Sequence, residues 1–193
     1  LTLLGSALGC LAQAPTREHA LTLLQAGKLS EAVAELREVI TKSPSDVETL
    51  YTLGMALRSL NKLPDAASYM EKAVAVSPRR ADILYDLGAT YASLDKHDQA
   101  LKYLEISADI QPYRGRTWQS IGASLAMQKK TDEAAAAYQR AVGYEPDDFL
   151  AHYGLAQLYA DSEKWDAATR EYQAVNHIRP DFRPAWTGLL TAY

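Results

Sequence analysis

The chain has 193 residues and a formal net charge of −4, with its charged residues spread evenly. A chain of this length forms one or two domains, and the even spread excludes the basic stripe that marks a nucleic-acid surface. The four histidines and the single cysteine have no metal-ligand spacing. We therefore predict no nucleic-acid partner, no metal and no cofactor.

Residues 1–14 carry no charge and differ from the rest of the chain. They resemble the apolar core and cleavage end of a bacterial export signal, and the Ala-Leu-Gly-Cys ending at Cys10 resembles a lipoprotein box whose cysteine carries a lipid. We expect an exported, periplasmic or membrane-anchored bacterial protein, with membrane contact only through this leader or a lipid on Cys10. An apolar N-terminal helix that caps the fold is the alternative, and a cytoplasmic location then stays open.

A strict 34-residue period organises residues 15–193. Proline recurs at this interval without slippage, and an alanine lies twelve residues before each proline. The prolines are Pro44, Pro78, Pro112, Pro146 and Pro180, and the alanines are Ala32, Ala66, Ala100, Ala134 and Ala168. A fixed period of this length indicates a repeat array, and residues 34 apart are said below to share a column.

Each 34-residue unit is predicted to contain two antiparallel helices. Apolar residues spaced by three and four lie on one helical face, and each proline ends a second helix because it lacks an N–H and disfavours helical backbone before it. The first helices are predicted at 15–26, 47–60, 81–94, 115–128 and 149–162. The second helices are predicted at 30–43, 64–77, 98–111, 132–145 and 166–179.

Small and turn-forming residues recur at the junctions of these helices. Gly54, Gly88 and Gly122 are expected to let the two helices of a unit approach closely, at a helix-interior cost of about 1 kcal/mol each. The column between the helices favours a left-handed residue, and it holds Gly27, Asn61, Asp95, Lys129 and Glu163, of which the last two fit less well. The second helices start with the favourable residues Ser30, Asp98, Asp132 and Asp166.

These columns resemble the tetratricopeptide repeat. Its signature reads here as Leu84, Leu87, Gly88, Tyr91, Ala100, Leu104 and Pro112, and again as Trp118, Ile121, Gly122, Leu125, Ala134, Tyr138 and Pro146. The resemblance implies an all-α fold, a right-handed α-solenoid of antiparallel helix pairs, over residues 15–193. The units would span about 13–46, 47–80, 81–114, 115–148 and 149–182, with a partial sixth at 183–193. Because this last stretch keeps the repeat pattern, we expect the natural protein to continue past Tyr193.

The resemblance also implies a binding surface, since the first helices of such arrays line a concave groove that typically binds peptides. The residues expected there are Tyr51, Met55, Arg58, Tyr85, Ala89, Arg116, Gln119, Ala123, Tyr153 and Gln157, called the groove stripe below. Packing alone also explains tyrosine in its column. The clamp that some family members use for a terminal carboxylate is not expected, because only Arg116 has the right charge.

No catalytic constellation is visible in the sequence, so we predict that these residues are not an enzyme. The first hypothesis is an interaction scaffold or adaptor that binds a peptide or partner segment in the concave groove. A second is a substrate-recruiting arm of an enzyme whose catalytic domain lies beyond Tyr193. A third is a structural solenoid that self-assembles through its last helix.

Overall fold

The computed structural model describes residues 15–192, and these form eleven α-helices without a β-strand. The helices are α1 (Arg17–Gln25), α2 (Leu29–Lys42), α3 (Val47–Ser59), α4 (Leu63–Val76), α5 (Ala81–Ala92), α6 (His97–Ile110), α7 (Gly115–Met127), α8 (Thr131–Tyr144), α9 (Phe149–Asp161), α10 (Trp165–Ile178) and α11 (Arg183–Ala192). The predicted leader with Cys10 lies outside the described residues and stays a prediction. No described helix is both long enough and apolar enough to cross a membrane.

Two helices per unit are confirmed, but the second helices begin one residue earlier than predicted. A lysine column precedes them and supplies the N-cap residue without any side-chain cap hydrogen bond: Lys28, Lys62, Lys96, Lys130 and Lys164. The residues predicted to start these helices are therefore the second helical residues: Ser30, Asp98, Asp132 and Asp166. The three aspartates still favour the helix there, because negative charge complements the partial positive charge of a helix N-terminus.

The turn between the two helices of a unit is left-handed in all five complete units. The φ angles are 73° at Gly27, 56° at Asn61 and Asp95, 60° at Lys129 and 57° at Glu163. A backbone hydrogen bond from the following lysine closes each turn, for example Lys130 N–H to Leu125 O at 3.0 Å. This closure satisfies carbonyls at the end of the first helix, so it holds even Lys129 and Glu163 in a conformation that such residues disfavour.

The helices stack in chain order. Each second helix packs against the first helix of its own unit and against the first helix of the next unit. Successive first helices also touch, since α5 contacts α7, α7 contacts α9 and α9 contacts α11, whereas among α1–α11 no comparable contact joins two second helices. The first helices therefore lie on the inner side of the curve.

The glycine columns bring helices together, as predicted. A Cβ atom added to Gly88 would lie 2.7 Å from Leu104 Cγ and 3.1 Å from Ala100 O, both on the partner helix. At Gly54 the added atom would lie 2.7 Å from Met70 Cγ. Carbon atoms in favourable contact are about 3.5–4.0 Å apart, so any side chain at these positions would push the helices of a unit apart.

His152 on α9 bridges two acceptors that the sequence did not reveal. Its Nδ1 lies 2.6 Å from Glu171 Oε2, and its Nε2 lies 3.0 Å from Pro146 O. Trp118 and Trp186, in the same column, donate Nε1–H to the carbonyls of Pro112 and Pro180. A carboxylate and a carbonyl both accept, so only a protonated imidazole can donate to both. The hydrogen bond to Glu171 accordingly raises the pKa of His152.

This bridge predicts a pH-dependent stability difference between the wild type and His152→Gln. Because the folded-state pKa of His152 lies above its unfolded value of about 6.5, its contribution is complete below about pH 6.5 and is lost as pH rises through the folded-state pKa. We expect the wild type to be more stable by about 1–3 kcal/mol in acid, with a difference that shrinks above neutrality. Urea titrations at several pH values measure it. The control is His177→Gln on α10, which removes an exposed imidazole and leaves the His152 bridge in place.

Candidate functional site

The structure places the groove stripe on the inner side of the curve, on α3, α5, α7 and α9. On each of these helices a ring or an amide is followed, four residues later, by a smaller or more flexible group. Examples are Tyr85 with Ala89 and Gln119 with Ala123. Arg116 and Gln157 are exposed, and the other stripe residues except Tyr85 are partly exposed. The stripe is therefore an open surface over four consecutive units.

Asp86 organises the first part of the stripe. Its carboxylate accepts a hydrogen bond from the Tyr51 hydroxyl at 2.5 Å and one from Arg58 Nη1 at 3.2 Å. Burial, followed by the hydrogen bond to Asp86, raises the pKa of Tyr51 above its usual value. Tyr51 and Arg58 are thus held in place by a residue of the neighbouring unit, and their polar ends are already used inside the protein.

Arg80, the N-cap residue of α5, forms two ion pairs with carboxylates of the second and third units. Its Nη1 lies 2.6 Å from Glu48 Oε1, and its Nη2 lies 2.7 Å from Asp82 Oδ2. The hydrogen bonds from Arg80 hold the pKa of Asp82 below its usual range. One guanidinium offsets only one of the two carboxylate charges, so Glu48, Arg80 and Asp82 together keep one net negative charge.

Tyr85 lies beneath two arginines and is only 5 % exposed. The guanidinium carbons of Arg114 and Arg116 lie 4.7 Å and 5.1 Å from the ring centroid, within the range of cation–π contacts. The sequence predicted Tyr85 as a groove residue, but the arginines cover its ring. The sequence did not predict Arg114 as a groove residue, although Arg114 shares a column with Arg80, whose two ion pairs are described above.

A cavity of about 540 Å³ opens beside Arg116 at the junction of the fourth and fifth units. Its lining combines one guanidinium, one amide, three carboxylates and apolar groups: Arg116, Gln119, Glu145, Pro146, Asp147, Asp148, Phe149 and Leu150. Further along, the Tyr153 ring packs edge-on against Phe182 with centroids 5.1 Å apart. The groove is therefore polar in the second and third units and more aromatic in the fifth.

The chemistry of this surface is that of contact and hydrogen bonding. Within residues 15–192, no three side chains of histidine, cysteine, aspartate or glutamate come together to hold a metal ion. The amides of Gln119 and Gln157 can each donate and accept, which suits the alternating N–H and C=O groups of a peptide backbone. The partly exposed alanines leave depth between the larger side chains.

Stacked helix pairs whose first helices line a concave surface define a class of proteins, the α-solenoid interaction domains. Family models identify the class more closely. The model "Tetratricopeptide repeat" matches residues 125–193, and "Psidin, N-terminal TPR repeats region" matches residues 17–102. The chain belongs to the tetratricopeptide-repeat family. A comparison with curated protein sequences gives no match.

Solved structures confirm the predicted solenoid. A crystal structure of MamA superposes with a TM-score of 0.80 at 19 % identity, covering 83 % of this chain and 94 % of that one. MamA 41-end from Desulfovibrio magneticus RS-1 gives 0.81 at 22 % identity, covering 86 % and 94 %. YrrB, described as a TPR protein with an unusual peptide-binding site, gives 0.78 at 22 % identity, covering 88 % of each chain. At these identities the likeness establishes the fold.

Proposed function

We propose that the chain is a non-catalytic interaction scaffold or adaptor that binds a peptide segment of a partner protein in the concave groove. The observation that carries the proposal is the groove stripe itself. It presents small side chains at Ala89 and Ala123 between rings and amides, so it leaves space along the line that the first helices share. Repeat arrays of this kind use their concave surfaces for extended binding.

The contacts described above divide the stripe into side chains that are held by other residues of the protein and side chains that can still bond to a peptide. Tyr51 and Arg58 are tied to Asp86, so they shape the wall of the groove. Arg116 lies over the Tyr85 ring but forms no salt bridge within residues 15–192. The exposed Gln157 donates a hydrogen bond from Nε2 to the Tyr153 hydroxyl at 3.2 Å, so its amide oxygen is left to accept one from a peptide. We assign hydrogen bonding to the peptide to Arg116, Gln119 and Gln157, and apolar contact to Leu150 beside the cavity. The peptide-binding site for which YrrB is described supports this use of the fold.

A peptide selected on the wild-type chain from a random library tests the proposal. We expect Ala123→Arg to weaken binding of that peptide at least about tenfold, because the long side chain fills the space between Gln119 and the neighbouring unit. The matched control is Ala136→Arg, the same substitution at an exposed position of α8 on a second helix. It should bind the peptide as the wild type does, as measured by fluorescence polarisation.

Circular dichroism of both variants separates binding from folding. If Ala123→Arg lowers the melting temperature by more than a few degrees, Gln157→Arg replaces it, because Gln157 is already exposed on the stripe. If the selected peptides bind the groove variant, Ala123→Arg or its replacement Gln157→Arg, as tightly as they bind the Ala136→Arg control, the groove is not the binding surface. Failure to select any peptide would also contradict the proposal.

A further inference from the structure

A large side chain just before a first helix reaches over the groove of the preceding unit at three junctions between units. Arg114 places its guanidinium carbon 4.7 Å from the centroid of the Tyr85 ring, 29 residues earlier in the chain. At the same spacing the Phe182 ring lies edge-on to Tyr153, with centroids 5.1 Å apart. Arg80, in the same column, reaches back to α3 and pairs with a carboxylate there at 2.6 Å. Each of these side chains fills part of the groove of the unit before it.

Asp148 breaks this pattern at the junction of the fourth and fifth units. It shares the column of Arg114 and lies 29 residues after Gln119, but its short side chain turns back onto its own helix. There Oδ1 accepts hydrogen bonds from the backbone N–H groups of Leu150 at 3.0 Å and Ala151 at 3.2 Å. The cavity of about 540 Å³ opens beside Gln119 at this junction. It therefore occupies the place that an arginine of the chain fills one unit earlier.

The cavity also carries an excess of negative charge. Three carboxylates line it against one guanidinium, which leaves two net negative charges. That guanidinium, of Arg116, is directed over the Tyr85 ring of the preceding unit. No ion pair within residues 15–192 includes Glu145, Asp147 or Asp148. In the second and third units, by contrast, arginines of the chain pair with groove carboxylates. The charge at this cavity is left for a partner to offset.

We propose that an arginine of the bound peptide enters this cavity and takes the place that Arg114 fills one unit earlier. The inference rests on the proposed binding of a peptide in the groove, and it names the chemistry of the segment that is recognised. A guanidinium has five N–H donors, so it can donate to the carboxylates and to the amide oxygen of Gln119 together. The methylene groups of an arginine suit the apolar side of the cavity, where Leu150 is 46 % exposed.

Peptides selected on the wild-type chain from a random library test the inference. We expect the selected sequences to share an arginine at one position. Replacement of that arginine by citrulline, which keeps its shape but carries no charge, should weaken binding at least about tenfold in fluorescence polarisation. Selected peptides without a shared arginine, or a citrulline analogue that binds as tightly as its parent, would overturn the inference.

Asp147→Lys tests the cavity from the side of the protein. Asp147 is exposed and shares a column with Arg79, so a basic residue there should not disturb folding. We expect the arginine peptide to bind at least about tenfold more weakly, because like charges then meet, and the citrulline analogue to bind both proteins alike. The matched control is Asp95→Lys, the same charge reversal at a side chain that is 91 % exposed and shares a column with Lys129. The control should bind as the wild type does, and equal affinities of the two variants would contradict the inference.

Ala123→Arg separates this inference from the proposed function. If that variant loses the selected peptides while the citrulline analogue binds the wild type as tightly as its parent, the groove binds peptides without recognising an arginine. Only the inference then fails. If Ala123→Arg keeps full affinity, the groove is not the binding surface, and the proposed function fails together with the inference.

Discussion

Replacement of Gly88 by alanine should destabilise the array by about 1–3 kcal/mol, although alanine is the better helix former. The new methyl group would lie 2.7 Å from Leu104 Cγ and 3.1 Å from the backbone oxygen of Ala100. Neither atom is the free end of a flexible side chain. The contact can therefore be relieved only if α5 and α6 move apart, which loses packing along the whole helix pair.

The same substitution at Gly143 should have the opposite effect. Gly143 lies in α8, and an added Cβ atom meets nothing within 4 Å. Alanine there reduces the backbone entropy lost on folding without any steric cost, so we expect a gain of about 0.5–1 kcal/mol. Because both changes add the same methyl group within a helix, their difference isolates the close approach of helices from intrinsic helix propensity.

Urea denaturation followed by circular dichroism measures both variants. In a repeat array the stability is approximately a sum of unit and interface contributions, so the transitions should be fitted with a model that allows units to unfold separately. The Gly88→Ala midpoint should fall and the Gly143→Ala midpoint should rise. Equal rises in both would show that the helices of the third unit have room for a side chain.

The fold was predictable because its determinants recur at one spacing. The proline column ends the second helices, and the small residues at Gly54 and Gly88 fix how closely the paired helices pack. The left-handed turn was less certain where the column holds Lys129 and Glu163, because local preference opposes that conformation. The hydrogen bonds that close the turn prevail over this preference. The second helices begin one residue earlier than predicted because the lysine column supplies their N-cap residue. Lysine is not a residue type that indicates an N-cap in a sequence.

The groove stripe was predictable by position but not by contact. Helical spacing places its residues on one face, yet it does not determine which neighbouring unit covers each side chain. Tyr85 and Tyr51 share a column, but arginines cover Tyr85 whereas Asp86 accepts a hydrogen bond from Tyr51. Such partners lie about one unit away along the chain, so they depend on the distance and angle between units. A periodic sequence pattern does not contain that information.

Tyr138→Ala is the second substitution from which we expect a large loss, about 3–5 kcal/mol. The Tyr138 ring is 5 % exposed and lies between Gly122 of its own unit and Gly154 of the next. Burial raises the pKa of Tyr138 to about 12, so the hydroxyl stays neutral at ordinary pH. Truncation would leave a cavity between α7, α8 and α9, where two glycines supply no side chain to fill it.

The location of that cavity predicts how the array would unfold. Because Tyr138 joins the fourth unit to the fifth, its loss weakens one interface of a linear stack. We expect α9–α11 to open before the preceding units, giving faster amide hydrogen exchange in residues 149–192 than in residues 47–110. The control is Tyr144→Ala on the same helix, at an exposed ring whose main partner is the exposed Tyr113.

Tyr144→Ala should cost less than about 1 kcal/mol, since only one exposed aromatic pair is lost. Its hydrogen exchange should match that of the wild type in both segments. If Tyr138→Ala instead accelerates exchange uniformly from residue 47 to residue 192, the units unfold as one cooperative body and the interface at Tyr138 is not a separable element. A uniform response would also mean that strain at one interface spreads along the shared core, so that a ligand in the groove would stabilise every unit and not only the units it contacts.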